Sequence, residues 1–567
     1  MEECRSTYPS PPLPQSARRI TTPLNSGVWS AMLADHPDKQ FVNYILKGIE
    51  QGFRIGCHVD SPLQSAKHNM LSASQHQEII DNYLKEECAR GHVAGPFKEE
   101  QAIGMHISRF GVIPKKSQPG KWRLIVDLSH PKGSSVNDGI DPSLCSLSYT
   151  SVDEAANRIL QLGRGTLMAK LDIQSAYRII PVHPDDRWLL GMRWKDGIYI
   201  DLVLPFGLRS APKIFNALAD ALEWMLHVKV GVSHTLHYLD DFLFLAKAEG
   251  EECKKALNLA QKLFADLGVP IAPEKVKGPL PVLDFLGIIL DSLKLELRLP
   301  QDKLLQLKVM VRRWSYKKAC TKRELLSLIG HLSHACKVIK PGRPFLRRLI
   351  ELSTKVTEMH HHLRLNVATR SDLHWWSYFL DHWNGVGLMS LLAKRPPDIT
   401  VTSDASGSWG CGAFCDQKWF SIQWGGCWKD IHITIKELLP IVVASALWGR
   451  EWSGKQILFH CDNAAVVAIV NSGRSKHPLA MHYTRLLYLL GAVYNFGFHS
   501  SHIAGKDNIA ADAISRDNHK LFLQIHPAAA EQPTPIPPEL RTVLCQIAPN
   551  WMCENWKKLL RDILTKV

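Results

Sequence analysis

Seven carboxylates hold the chemistry that this sequence offers, and they fall into two sets. Asp172 closes the apolar run Leu167-Met-Ala-Lys-Leu-Asp172, and Asp240 and Asp241 lie together inside the apolar stretch Leu236-His-Tyr-Leu-Asp-Asp-Phe-Leu-Phe-Leu245. Adjacent acids in apolar surroundings are costly, so this set implies either a compensating cation or a solvated turn. Mg²⁺ meets the first requirement, because it takes hard oxygen ligands and leaves positions open for phosphates. In the second set, Asp404 ends Ile399-Thr-Val-Thr-Ser-Asp404 and Asp462 ends Gln456-Ile-Leu-Phe-His-Cys-Asp462, while Glu437 lies in a helical segment and Asp512 opens another. These four converge only if the fold brings them together. Glu437 also completes the pattern Thr434-Ile-Lys-Glu437, which is a capping box at a helix start. Cys411, Cys415, Cys427 and His432 are zinc-ligand types, but their segment reads as alternating strands rather than paired knuckles.

The elements that must place these acids follow from hydrophobic period and punctuation. Residues 1 to about 25, with Pro9-Ser-Pro-Pro-Leu-Pro14, read as a flexible leader. Short helical patterns run from Trp29 to His92, and a strand-rich block with Gly and Pro breaks spans Gly104 to Asp127. The strand Tyr199-Ile-Asp-Leu-Val-Leu204 runs through Pro205-Phe206-Gly207 into a helix whose apolar face holds Ile214, Leu218, Leu222 and Met225. The Leu236–Leu245 segment suits a hairpin with both acids at its turn. From Leu297 to about Leu392 the pattern is helical and basic; Lys394-Arg-Pro-Pro397 breaks it, and a second strand-rich block runs from Ile399 to near Arg516.

Composition bounds the partners. The chain has 567 residues, too many for one core, and 45% hydrophobic residues with 17 Trp exclude global disorder. Lys and Arg outnumber Asp and Glu by 68 to 54, a formal charge of +14 that favours a polyanion, nucleic acid first. No apolar run approaches a membrane span and no signal pattern opens the chain, so no membrane partner is expected. Thirteen scattered Cys suit a reducing, intracellular compartment.

At this point the sequence resembles reverse transcriptases. Leu171-Asp172-Ile-Gln-Ser-Ala-Tyr177, Leu204-Pro-Phe206-Gly-Leu-Arg-Ser-Ala-Pro212, Tyr238-Leu-Asp240-Asp241 and Leu283-Asp-Phe-Leu-Gly287 occur in the family's order and spacing. The resemblance implies Asp172, Asp240 and Asp241 as catalytic metal ligands, and Tyr177 as the aromatic gate against a ribose 2′-hydroxyl. Lys121-Trp-Arg123-Leu-Ile-Val-Asp127 matches the family's fingers strand, so Arg123, with Lys115 or Lys116, would hold the incoming triphosphate. Phe206, where retroviral enzymes carry glutamine and gypsy-type retrotransposons phenylalanine, would pack against the nascent base pair. The second set resembles ribonuclease H through Ser403-Asp404-Ala-Ser, Ile435-Lys-Glu437-Leu, Cys461-Asp462-Asn-Ala and Asn508-Ile-Ala-Ala-Asp512-Ala-Ile-Ser-Arg516. That likeness implies Asp404, Glu437, Asp462 and Asp512 as ligands of two Mg²⁺ ions, with Mn²⁺ as a substitute. His502 resembles the mobile-loop histidine of the cellular enzymes, a proton shuttle in product release.

The expected fold is an α+β multidomain chain: a right-hand polymerase of fingers, palm and thumb, a connection, and a ribonuclease H-like α/β domain. Its divisions are a leader over 1–28, an N-terminal extension with fingers and palm over 29–290, and thumb and connection over 291–396. Ribonuclease H follows over 397–517, and residues 518–567 are a linker and the start of a truncated downstream region. Arg312-Arg-Trp-Ser-Tyr-Lys-Lys318 and Lys340-Pro-Gly-Arg-Pro-Phe-Leu-Arg-Arg348 set cations among aromatics, as a duplex track would. The partners implied are an RNA template, a DNA primer, their RNA–DNA hybrid and deoxynucleoside triphosphates. Gly342-Arg-Pro-Phe-Leu-Arg-Arg348, Trp375-Trp376 and the stretch from Leu13-Pro-Gln to Gly56 resemble DIRS-type retrotransposons, in which a tyrosine recombinase follows, and Leu540 to Val567 resembles its start. The competing reading is a decayed, nucleic-acid-binding remnant without catalysis.

Overall fold

The computed structural model describes residues 10–60, 63–114, 120, 122–382, 386–388, 396–428, 430–538 and 540. Lys115, Lys116 and Lys121 lie outside the described residues, as does nearly all of the stretch from Leu540 expected to begin a recombinase. The chain divides into two compact units, one of residues 1–151 with 166–281 and one of 152–165 with 282–567.

In the first unit, α1 (Ser26–Leu33) and α2 (Lys39–Gln51) begin at Asn25 and Asp38, whose side chains accept from the Val28 and Phe41 amides. They are followed by α3 (Leu71–Gln75), α4 (Gln77–Ala89), β1 (Val93–Phe97), β2 (Ile107–Pro114) and β3 (Trp122–Asp127). The chain then leaves through α5 (Val152–Leu162), which belongs to the other unit, and returns as β4 (Leu167–Asp172). Strands β5 (Gly191–Trp194) and β6 (Gly197–Asp201) precede α6 (Ala211–Val228), β7 (Thr235–Tyr238), β8 (Asp241–Ala246), α7 (Glu252–Asp266) and β9 (Lys277–Leu280). Two sheets result, of order β1-β6-β5-β2-β3 and β7-β8-β4-β9. Ile214, Leu218, Leu222 and Met225 of α6 are all buried in one core with Phe242 and Phe244 of β8 and Phe264 of α7, so the second sheet rests on a helical layer. The strand expected over 199–204 stops at Asp201, where the buried carboxylate takes an ion pair from Arg178 at 2.8 Å; a bridge from Val203 to Pro181 carries the chain on.

The second unit opens with β10 (Val282–Phe285), β11 (Ile288–Asp291) and β12 (Glu296–Arg298), an antiparallel run. The helical, basic region follows as α8 (Gln301–Ser315), α9 (Lys322–Ala335), α10 (Arg347–Ser353) and α11 (Val367–His382), with β13 (Ala319–Thr321) and β14 (His362–Arg364) paired and β15 (Val386–Leu388) added to β12. Then come β16 (Ile399–Ala405), β17 (Gly410–Cys415), β18 (Lys418–Gln423), α12 (Ile433–Trp448), β19 (Gln456–Cys461), α13 (Ala464–Ser472), α14 (Pro478–Val493), β20 (Gly497–His502), α15 (Ile509–Ser515) and α16 (His519–Ile525). Their sheet has the order β18-β17-β16-β19-β20, antiparallel from β18 to β16 and parallel from β16 to β20. Helix α12 is apolar apart from its first turns, which carry Lys436 and Glu437, and it is buried between this sheet and α14.

The α+β class is therefore what the molecule has. The stretch after Arg516, expected as a linker, instead packs back on the sheet. Phe522 of α16 is buried against Trp419, and the Trp419 indole donates to the Ala530 carbonyl at 2.7 Å. Thr534 keeps an amide that the neighbouring prolines lack, and it donates to Trp419 O at 2.7 Å. No helix among the described residues is long and apolar enough to cross a membrane.

Candidate active sites

Pleat and register build the first acid cluster. Strand β4 lies between β8 and β9, and Asp172 sits directly opposite Asp241 in the antiparallel β4–β8 ladder. Tyr238 pairs with Asp241 across a two-residue turn, Leu239-Asp240, in which Leu239 has φ 53°. Asp240 is thus at the turn and Asp241 is the first residue of a strand, rather than both acids being in the turn. Burial and the charge of Asp172 push Asp240 above the usual carboxylate range. Burial, then the charges of Asp240 and Asp172, push Asp241 up to about 6. Lys275, which sequence reasoning did not select, holds Asp172 Oδ1 at 2.6 Å. The pair raises the lysine above its usual range. The donor set is wholly oxygen with one lysine, which fits a hard divalent cation.

Around these acids stand aromatics. The Tyr177 ring is 5.3 Å from Phe206 and 5.8 Å from Phe215, and burial together with the Asp240 charge raises its phenol to about 12. Phe206 is 60% exposed and available to a ligand. Arg123 is exposed on β3, opposite Ile113 of β2; Lys115, its expected companion, lies outside the described residues.

The second cluster forms at strand ends. Thr402 pairs with His460 in the parallel β16–β19 ladder, and two residues further on both strands stand Asp404 and Asp462. Helix α15 brings in Asp512, and it does so through Gly412: a Cβ there would meet Ile514 Cγ2 at 2.3 Å, so only glycine lets α15 lie this close to β17. Asp404 accepts from Ser515 Oγ at 2.5 Å and Asn508 Nδ2 at 3.3 Å, two donors that sequence reasoning passed over. Burial outweighs them, and with the charges of Asp462 and Asp512 it raises Asp404 to about 6. Glu437 is buried on α12 and pushed up to about 9, first by burial and then by Asp404 and Asp462. Ser515 Oγ donates to both Asp404 Oδ2 and the Asp512 carbonyl, and carboxylate oxygens of Glu437 and Asp462 lie within 4.8 Å of each other. Asp512 also pairs with Arg516 at 2.7 Å on the exposed side.

Three expectations change here. The helix cap is His432, whose ring accepts from the Thr434 amide, so Glu437 lies inside α12 and is not half of a capping box. His502 ends strand β20, opposite Cys461, and its Nε2 is 3.0 Å from the Asp462 carbonyl; it does not stand in a loop. Arg348, expected on the nucleic-acid track, turns inward to the buried Asp372 at 3.1 Å, and Arg347 pairs with Glu351 at 2.7 Å, whereas Arg312 and Arg313 are exposed on α8. Cys411 and Cys415 are buried in β17. Among the described residues the group with metal-ligand spacing is Glu437, Cys461 and Asp462. Burial and the Glu437 charge hold the Cys461 thiol far above its usual range.

Residues 113–290 match the family model for reverse transcriptase (RNA-dependent DNA polymerase). The first acid cluster lies within that match. Over 455 residues the chain is 22% identical to the transposon Tf2-3 and Tf2-7 polyproteins of Schizosaccharomyces pombe, covering 76% of this chain and 30% of each of theirs. The chain thus spans less than a third of the length of these curated relatives, and it is similar to reverse transcriptases of LTR-type retroelements. Solved structures of the foamy viral protease-reverse transcriptase are also similar. One in complex with dsDNA is 16% identical with a TM-score of 0.46, covering 85% of this chain and 98% of that one. Another, in complex with an RNA/DNA hybrid, is 15% identical with a TM-score of 0.44, covering 84% and 62%.

Proposed function

We propose that this chain copies RNA, and DNA, into DNA and cuts the RNA of the resulting hybrid. The observation that carries the reading is the pairing of Asp172 with Asp241, with Asp240 in the adjoining turn, inside a segment that matches reverse transcriptases. Asp172, Asp240 and Asp241 would hold Mg²⁺, as would Asp404, Glu437, Asp462 and Asp512, and the ion would supply charge neutralisation at phosphoryl transfer and an activated attacking oxygen. The chain's own groups do the rest. Arg123, with Lys115, would clamp the triphosphate, Phe206 would bear on the nascent base pair, and Tyr177 would close the space beside C2′ of the sugar. His502, near the Asp462 carbonyl, would carry a proton away from the cut strand.

In this reading residues 29–290 are an N-terminal extension with fingers and palm, 291–396 thumb and connection, and 397–517 ribonuclease H. The similarity to LTR-type elements supports a retroelement origin, and the DIRS-like phrases named above favour that branch. Template, primer, hybrid and deoxynucleotides are the partners. Primer extension on a labelled RNA template with deoxynucleotides and Mg²⁺ tests this. Wild type extends and cuts; an Asp240→Asn, Asp241→Asn double variant only cuts; Asp462→Asn only extends, each lost activity falling by at least about a thousandfold. Binding of the hybrid with neither activity in wild type would instead establish the decayed, binding-only remnant.

A further inference from the structure

The loop that joins β16 to β17 is short, tied down on every side, and displays a large apolar side chain. Ser406 Oγ accepts from the Trp409 and Gly410 amides, both at 2.9 Å, and the Ser406 amide donates to Gly410 O at 2.9 Å. The Trp424 indole donates to Ser406 O at 2.9 Å, and the Trp424 amide donates to Trp409 O at 2.8 Å. Lys436, only 3% exposed, gives its ammonium to Gly407 O at 2.6 Å and lies 5.7 Å from the centre of the Trp424 ring. A lysine is rarely buried without a task. Here it ties the loop to the helix that carries Glu437, one residue along, while the loop itself starts two residues after Asp404. On this fixed frame Trp409 is 59% exposed.

We infer that Trp409 is a nucleic-acid contact of the second acid cluster, its indole lying against the sugar-and-base edge of a strand of the bound duplex, with Lys436 as the positioning residue. The chemistry is that of an aromatic platform beside a phosphoryl-transfer centre. An indole offers a broad apolar face to deoxyribose or to an exposed base and is indifferent to sequence, which suits a site that must accept any hybrid. Preorganisation matters as much as contact, because a loop already fixed by these six hydrogen bonds loses little freedom when the strand arrives. Lys436 does not meet the duplex itself, since its charge is spent on Gly407 O.

This inference rests on reading the second cluster as the hybrid-cutting site, so two measurements separate the two ideas. In the full chain, Trp409→Ala should raise KM for hybrid cleavage roughly tenfold, leave kcat within about twofold and leave primer extension unchanged, while Trp409→Phe restores most of the loss. Lys436→Met, which keeps the stem and drops the charge, should reproduce part of the KM effect with the same intact extension. Unchanged KM in Trp409→Ala overturns the inference, as does a Phe variant no better than Ala. If wild type cuts no hybrid, a photo-reactive benzoylphenylalanine at position 409 decides in EDTA. Cross-linking to one narrow window of the hybrid keeps the contact and discards only the nuclease; failure to cross-link discards the contact.

Discussion

The two acid clusters solve one electrostatic problem in different ways. The first keeps a counter-charge of its own: Lys275 pairs with Asp172, and Asp241 rises only to about 6. The second holds Asp404 with a hydroxyl and an amide and buries Glu437 behind it, so that Glu437 rises to about 9. Its nearby lysine, Lys436, is turned away to a loop carbonyl. A lysine inside a cluster offsets the repulsion among its acids; in the second cluster the cation, Arg516, pairs with Asp512 on the exposed side and Glu437 is left high. The first site should accordingly stay ordered without metal, and the second should depend on metal and on pH.

The sharpest contrast concerns the sugar, because the proposed aromatic gate, Tyr177 against Phe206 and Phe215, belongs to the first cluster. Tyr177→Ala opens the space walled by Phe206 and Phe215 and should raise ribonucleotide incorporation relative to deoxynucleotide by roughly ten- to a hundredfold. Hybrid cleavage by the same protein should not change; competition of paired nucleotides in primer extension reads the first effect and template loss the second.

Next comes pH. Glu437 has a folded pKa raised from 4.5 to about 9, so its contribution to order is full below about 4.5 and is lost as pH rises through 9. In EDTA, amide-exchange protection across Ile433–Trp448 should therefore fall from pH 5 to pH 9, by up to about tenfold per pH unit. Mg²⁺ should restore it, and Glu437→Gln should flatten the dependence. Equal protection at both ends of that range in EDTA would erase the distinction between the clusters.

The smallest effects come from the partners of the acids. Lys275→Met removes the charge that competes with a cation for Asp172, so half-maximal extension should need several-fold less Mg²⁺, on the order of 1 kcal/mol. Ser515→Ala removes a neutral hydrogen bond from Asp404 and should cost about 1 kcal/mol in cleavage with no change in Mg²⁺ requirement. A Mg²⁺ titration of both variants distinguishes the two kinds of support.

What the sequence disclosed follows the range of the interactions involved. Asp172, Asp404 and Asp462 announce themselves as the last polar residue of an apolar strand, a local signal, and the α6 face is legible from its spacing. Lys275 gives no sign, because its partner is met only after the chain has travelled through α6, β7, β8 and α7. Ser515 and Asn508 read as ordinary helix-end residues until α15 is seated on Gly412. Thr434 and Glu437 satisfy a local capping rule that His432 pre-empts two residues before Thr434. The tail after Arg516 reads as a linker because prolines dominate it, yet Phe522 and Ile536 are buried and anchor it while most of its other residues stay exposed.

The two-residue apex between Tyr238 and Asp241 carries a constraint on length. Side chains alternate across a sheet with period two, so one residue added or removed at Leu239-Asp240 would send Asp241 to the opposite face and pair Asp172 with an apolar neighbour. The length of the apex is therefore as fixed a requirement as the acid it carries at Asp240.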